Sequence, residues 1–272
     1  MSLPVFDAAW LEGLREQAVQ PPRAPRQPLF LGAARIGSIA PVLAERLGGE
    51  AALRRCGLDR AGSGAAARWT LQRDPDTVFQ RLGGAVRAAG LAPVWRDEPL
   101  PVRDDDGRTL TRAPRGLARL LGLCTFSVTL IGLVEGGGTW VQRRALDKAE
   151  DPGQWDMLMS GTVGAGESVD DTLARETWEE AGLRVAALRA LRPCGTVRLD
   201  RPQGPEGERG LRHQVERIDC FVATLAPGSH PVNRDGEVIA FECLAPDALS
   251  ARLRAGAFTL EASLALALAA PG

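Results

Sequence analysis

Seven residues between Gly161 and Gly182 stand at fixed intervals, and they constrain the local fold more tightly than any other stretch of this 272-residue chain. They are Gly161, Glu167, Arg175, Glu176, Glu179, Glu180 and Gly182, in the pattern G-x5-E-x7-R-E-x-x-E-E-x-G. Ser168 is a good helix N-cap, and Asp171 puts an acid in the first turn. Residues 169–181 contain no Gly or Pro, and Gly182 is a natural stop. The segment therefore reads as a loop leading into a helix of about three and a half turns. On that helix Glu176, Glu179 and Glu180 lie at i, i+3 and i+4, within an arc of roughly 100°. Leu173, Ala174, Thr177 and Ala181 occupy the neighbouring arc, which would pack on a sheet.

Carboxylates crowded on one arc repel, at about 0.2–0.5 kcal/mol per like-charged pair. A divalent cation removes that penalty, and Mg²⁺ is a hard ion that prefers oxygen ligands and bridges carboxylates to substrate phosphates. Arg175 stands beside the cluster and can hold one acid in place. The loop from Gly161 to Gly166 lets the backbone approach an anion or present a carbonyl to a metal. A bare R-E-x-x-E-E would read as a solvated acidic face. The two glycines and Glu167 in register turn it into a metal site.

This spacing resembles the Nudix box of the MutT/Nudix hydrolases. The resemblance implies an α/β fold, an α/β/α sandwich with a mixed sheet, that hydrolyses phosphoanhydride bonds with Mg²⁺ or Mn²⁺. It implies metal ligation by Glu176, Glu179, Glu180 and the Gly161 carbonyl, and a catalytic set of Glu176, Glu179, Arg175 and Glu167, with Glu167 paired to Arg175. Which Glu is the base and which are only ligands stays open. One departure is Thr177, where the family usually has an aliphatic residue; Thr is close to Val in shape, and its hydroxyl can bond back to the preceding turn.

The net charge of −1 offers no surface for nucleic acid or membrane. The apolar run 260–270 is too short to span a bilayer and reads as a core helix. Five cysteines without a C-x-x-C point to free, mostly buried thiols in a reducing, cytoplasmic setting, and two histidines leave no basis for His-ligated zinc.

Residues 1–115 read as a small α+β N-terminal domain that caps the substrate, and 116–272 as the Nudix domain. In the first part helices are expected at 3–19, 41–47, 51–56 and from Asp74 to Gly90, with Pro21–Pro28 an extended spacer. Asp106-Gly107 marks a hairpin. In the second, strands are expected at 125–134, 139–143, 155–159, 188–199, 215–225 and 238–244, with a polar loop at 201–210 and a last helix after Phe258.

The flanks narrow the resemblance. Trp95-Arg-Asp-Glu98, Leu121-Gly122-Leu-Cys-Thr125-Phe126, the series Arg143, Arg144, Lys148, Pro152, Gly153, Asp156 before the box, and Asp235-Gly236-Glu237-Val238 with Phe241 after it are similar to Nudix proteins that carry their own N-terminal domain. These are related to the Nudix half fused to thiamine pyrophosphokinase in some fungi. The implied substrate is thiamine diphosphate or its oxidised forms; the alternative is a nucleoside diphosphate derivative such as ADP-ribose or an NDP-sugar. A non-catalytic ligand-sensing module is disfavoured by the intact acids, and the isomerase branch by the scarcity of His. Arg143, Arg144 and Lys148 could clamp phosphate oxygens, with at most two expected to do so, and Glu237 could add a carboxylate. Trp95, Trp140, Trp155 and Phe126 could wall a cationic thiazolium ring. Thr129 and Ile131 stand where the subgroup has His and Asn, and His213 reads as a surface residue. The expected partner is a small-molecule diphosphate, with a homodimer left open.

Overall fold

The computed structural model describes residues 3–270 except 5, 93, 206, 207 and 209. In chain order the elements are α1 (Ala8–Ala18), β1 (Gln27–Leu31), β2 (Ala34–Ile39), α2 (Pro41–Arg46), α3 (Glu50–Cys56), β3 (Leu58–Ala61), β4 (Arg68–Leu71), α4 (Pro75–Ala88), β5 (Pro99–Arg103), β6 (Thr109–Pro114) and α5 (Arg115–Ala118). Then follow β7 (Cys124–Leu133), β8 (Thr139–Arg144), β9 (Trp155–Asp156), β10 (Met159–Thr162), α6 (Val169–Ala181), β11 (Arg189–Gln203), β12 (Arg212–Thr224), β13 (Val238–Leu244), α7 (Pro246–Arg254) and α8 (Leu260–Ala269).

The main sheet is mixed. Its order is β11-β12-β7-β8-β13, with β10 also paired to β7 and β9 to β8. The central pair β7/β12 is parallel, from Cys124 opposite Val215 to Leu133 opposite Thr224. On one face Val128, Leu130 and Met159 pack with Leu173 and Ala181 of α6. On the other, Ile131, Ile218 and Val222 pack with Leu249 and Leu253 of α7, Ala262, Ala265 and Leu266 of α8, and Leu14 and Ala18 of α1. This is the α/β/α sandwich that the box implies.

The first part is α+β. A four-stranded sheet in the order β2-β1-β4-β3 and the hairpin β5/β6 enclose a second core around Trp69, Phe79, Leu82 and Leu117. Helix α1, by contrast, lies with the sandwich core. The sequence pattern could not place it there, because an amphipathic stripe shows that a helix is covered but not by what. β3 went unexpected, being short and half polar; Asp74 caps α4 through the Thr77 amide, as its sequence implied. The expected loop at 201–210 begins later, because β11 runs to Gln203, and part of it lies outside the described residues.

The two parts are sewn together. Arg26, in the expected spacer, is largely buried and donates to the carbonyls of Ser38, Leu120, Gly210 and Leu211. The Ser38 and His213 amides donate to the Leu121 and Arg119 carbonyls, and the Ala165 amide in the box loop donates to the Pro99 carbonyl of β5 at 2.8 Å. All five cysteines are free; Cys56 and Cys220 are buried, Cys124 and Cys194 partly so, and Cys243 is exposed. No helix among the described residues is long and apolar enough to cross a membrane.

Candidate active site

Helix α6 begins as its sequence dictates. Ser168 and Asp171 form a reciprocal capping box, and Gly182 closes the helix in the left-handed conformation at φ 65°. Thr177 is buried and donates to the Leu173 carbonyl at 2.6 Å, so the departure from an aliphatic residue costs no unpaired hydroxyl.

Arg175 is the hub. Its Nε and Nη2 grip Glu167 at 2.7 and 2.9 Å, and its Nη1 donates to Glu176 at 2.8 Å and Glu179 at 2.9 Å. Glu167 also accepts from the Gly164 amide and the Thr172 hydroxyl. The Arg175 hydrogen bonds, chiefly, bring the Glu167 carboxyl down to about 2 despite its partial burial. With every one of these partners engaged, Glu167 fixes the arginine and the loop.

The three acids of the arc do not share one environment. Glu176 and Glu179 open into a cavity of about 440 Å³ that Gly161 also lines. Gly161 packs so closely that a Cβ there would collide with the Glu176 carboxyl. Glu180 is 3% exposed and does not line the cavity; it accepts from Gln142 Nε2 at 2.9 Å and the Ser160 amide at 3.0 Å. The expectation that all three carboxylates meet a metal from one arc is corrected here, because the sheet covers the Glu180 side of the helix. Burial pushes the Glu180 carboxyl up to about 8, against its two hydrogen bonds.

Among the described residues no group of three Asp, Glu, His or Cys side chains converges closely enough to hold an ion as it stands. The Arg175 guanidinium instead bridges Glu176 and Glu179. The donor set still fits a hard divalent cation in kind, since α6 presents two carboxylates, Glu176 and Glu179, to the cavity beside Arg175. Burial pushes the Glu176 carboxyl up from 4.5 to about 7, with Arg175 acting against the shift. A raised carboxyl holds its proton more tightly in the folded chain, so the folded state loses stability as pH rises through this window. A cation on the ionised pair restores it. Mg²⁺ is therefore expected to raise the melting temperature more at about pH 8 than at about pH 5.5; equal shifts in calorimetry at the two pH values would count against cation binding here.

Of the expected phosphate clamps, Arg144 and Lys148 line the cavity, whereas Arg143 is exposed and donates to the Gly153 carbonyl. The alternation of β8 turns Arg143 to the opposite face. Arg144 is held at 3.1 Å by the buried Asp156. Glu237 lines the cavity, paired with Lys148. Burial alone would raise the Glu237 carboxyl, but Lys148, then Arg96 and Arg115, bring it below its ordinary value.

Several expectations fail. Thr129 is buried against the Met159 carbonyl and Ile131 lies in the core, so neither meets the cavity; Ser127, earlier on β7, does. His213 is buried at 4% exposure, its Nε2 2.8 Å from Asp200, because β12 continues beneath the first part of the chain. None of the aromatic candidates lines this cavity. Trp95 wedges against Gly83 and Gly116, Trp140 meets His230 edge-on, Trp155 lies under Arg252, and Phe126 lies under Arg103.

Absent from the expected site are Arg96, Arg115 and Arg119, which line the same cavity as the α6 acids, and Gln214, Glu216 and Glu261, which line it too. Arg96 stood inside the Trp95–Glu98 motif, the one available signal. An adjoining cavity of about 630 Å³ shares Arg96, Arg115, Arg119, Arg144 and Lys148, and its lining is mixed, with Leu91, Leu100 and Leu120 beside Gln203, Arg212 and Glu216.

A family model described as the NUDIX domain matches residues 125–264. A Nudix hydrolase of Pseudomonas aeruginosa is 42% identical over 86 residues, covering 32% of this chain and 51% of that protein. The chloroplastic Nudix hydrolase 20 of Arabidopsis thaliana is 29% identical over 160 residues, 57% of this chain and 41% of its own length. The chain thus spans about half or less of these curated relatives. A solved structure from Deinococcus radiodurans superposes with a TM-score of 0.48 at 21% identity, over 63% of this chain and 97% of that one.

Proposed function

The chain belongs to the Nudix family, and we propose that it is a divalent-metal-dependent hydrolase that cleaves the phosphoanhydride bond of a small organic diphosphate. One observation carries this reading: Glu176 and Glu179, bridged by Arg175, line the same cavity as the cationic side chains of Arg96, Arg115, Arg119, Arg144 and Lys148. Mg²⁺ or Mn²⁺, held by Glu176 and Glu179 beside Gly161, would neutralise phosphate charge and polarise the bond that breaks. Glu167 locks Arg175, and Arg175 sets the positions of both acids. Glu176, which faces the cavity from α6, also stands where a carboxylate can accept a proton from attacking water, and the split between ligand and base stays open. Arg144 and Lys148 hold phosphate oxygens, and Glu237 orients Lys148. Glu180 braces the helix against β10 through Ser160.

The adjoining cavity, part apolar and part cationic, takes the organic moiety. Its charged lining is mainly arginine and lysine, and no aromatic ring lines it, so a cationic thiazolium gains nothing there. A nucleoside diphosphate derivative, with an uncharged base and sugar, fits this lining better. The flanking motifs, Trp95–Glu98 above all, favour a second reading, thiamine diphosphates, with oxidised forms that have lost the ring charge ahead of thiamine diphosphate itself.

The test is a panel of ADP-ribose, NDP-sugars, thiamine diphosphate and its oxidised forms, assayed with Mg²⁺ or Mn²⁺ for phosphate-containing products. Turnover confined to nucleotides selects the first reading, and turnover confined to thiamine forms the second. No turnover of any diphosphate by folded protein would sink the hydrolase reading and return weight to a ligand-sensing module.

A further inference from the structure

We infer that the N-terminal part of the chain supplies half of the phosphate site: Arg96, flanked by Arg115 and Arg119, binds the substrate phosphoryl group that lies away from the α6 acids. The three arginines line the same cavity as Glu176 and Glu179. They differ in what already occupies them. Arg119 makes a two-pronged pair with Glu150, at 3.0 and 2.6 Å, and Arg115 meets Glu98 at 3.0 Å. The Arg96 guanidinium has no hydrogen bond or ion pair among the described residues, although it is only partly exposed. Its charge is felt by Glu237, which also lines the cavity, but no described residue takes a hydrogen bond from its guanidinium, so its donors can meet an incoming anion.

Its backbone is built to stay there. The Gly116 amide donates to the Arg96 carbonyl at 3.0 Å, and the Arg115 amide donates to the Glu98 carbonyl at 2.8 Å, so residues 96–98 are zipped to the start of α5. The Trp95 ring drives into the space left by two glycines: a Cβ on Gly83 would come within 2.9 Å of it, and one on Gly116 within 2.6 Å. Neither glycine is needed for its backbone angles, since neither has a positive φ; both are needed for the ring. One residue beyond Glu98, the Pro99 carbonyl accepts from Ala165 in the box loop. The platform that carries Arg96 is thus tied directly to the loop between β10, which carries Gly161, and α6, which carries Glu176 and Glu179.

A diphosphate spans these walls better than a single phosphate does. One phosphoryl group on the acid side, through the cation, and one on the Arg96 side uses both ends of the ligand. This inference rests on the proposed diphosphate chemistry, but its test does not need turnover. The probe is inorganic pyrophosphate with Mg²⁺, titrated calorimetrically into the full chain, with orthophosphate for comparison. Arg96→Ala is expected to weaken pyrophosphate binding by about tenfold or more, the usual worth of a charge-assisted hydrogen bond. Arg96→Lys should recover part of the loss. Arg192→Ala, the same charge change on the exposed face of β11, should leave affinity unchanged, and melting temperatures report that each variant is folded. Pyrophosphate affinity that is unaltered in Arg96→Ala, equally reduced in Arg192→Ala, or unmeasurable in the parent chain would overturn the inference. If Arg96 governs pyrophosphate binding yet no organic diphosphate is cleaved, the hydrolase reading fails and the clamp stands. If diphosphates are cleaved with the same KM by the parent and Arg96→Ala, the clamp fails and the hydrolase reading stands.

Discussion

Glu179→Gln is expected to lower kcat by roughly two to four orders of magnitude with Mg²⁺, the range for removing a group that acts on charge or protons at the reacting centre. The substitution keeps shape and helix propensity. Glu179 is the more exposed of the two cavity acids, with 43% of its side chain accessible, so losing its charge disturbs no buried contact. Arg175 retains Glu167, its two-pronged partner, and still meets Glu176. Folding should therefore be preserved while the acid wall loses one of its two carboxylates. Steady-state kinetics on the best substrate of the panel, with a melting curve beside them, check this. A kcat within about threefold of the parent would remove Glu179 from the machinery, and a collapsed melting temperature would show that the acid is structural.

Gly161→Ala is expected to cost about two orders of magnitude in kcat/KM, although it adds a single methyl group. Gly161 lies on β10 opposite Val128 of β7, so its backbone is pinned in the sheet. The new Cβ would fall on the Glu176 carboxyl, and neither the strand nor the helix can give way cheaply. The carboxyl must swing out, off Arg175 Nη1 and away from the cavity position it holds now. Displacement of a reacting group by about 1 Å is enough for a loss of that size. The result separates two roles for this glycine. If its carbonyl alone mattered, alanine, which has the same carbonyl, would be tolerated. If the missing side chain matters, activity falls while pyrophosphate binding on the Arg96 side is largely kept.

The box was legible because its determinants are local. Caps, stop and charge spacing all act within four residues, so Ser168, Asp171 and Gly182 define α6 without help from the rest of the fold. The Arg175–Glu167 pair was also readable, since loop and helix are contiguous and eight residues apart. The division of labour among the acids was not. Glu176, Glu179 and Glu180 share an arc on the helical wheel, yet Glu180 meets Gln142 and Ser160, residues from strands distant in sequence. A helical wheel carries no information about where the sheet ends. The same limit applies to β7: its sequence alone does not tell that Ser127 lines the cavity while Thr129 and Ile131 are buried away from it.

What the sequence determined by itself was the presence of a loop–helix acid site and its capping and Arg175–Glu167 contacts, because these follow from short-range backbone and charge rules; the sandwich that carries it was implied by the resemblance of that box. What only the tertiary structure decided was the other wall. Arg96, Arg115 and Arg119 precede the box by some 40 to 80 residues and follow no spacing rule relative to it. They face it because Trp95 fills the gap above Gly83 and Gly116, and because the Pro99 carbonyl takes the Ala165 amide. Those are long-range packing and hydrogen-bond choices, made only when two cores close on each other.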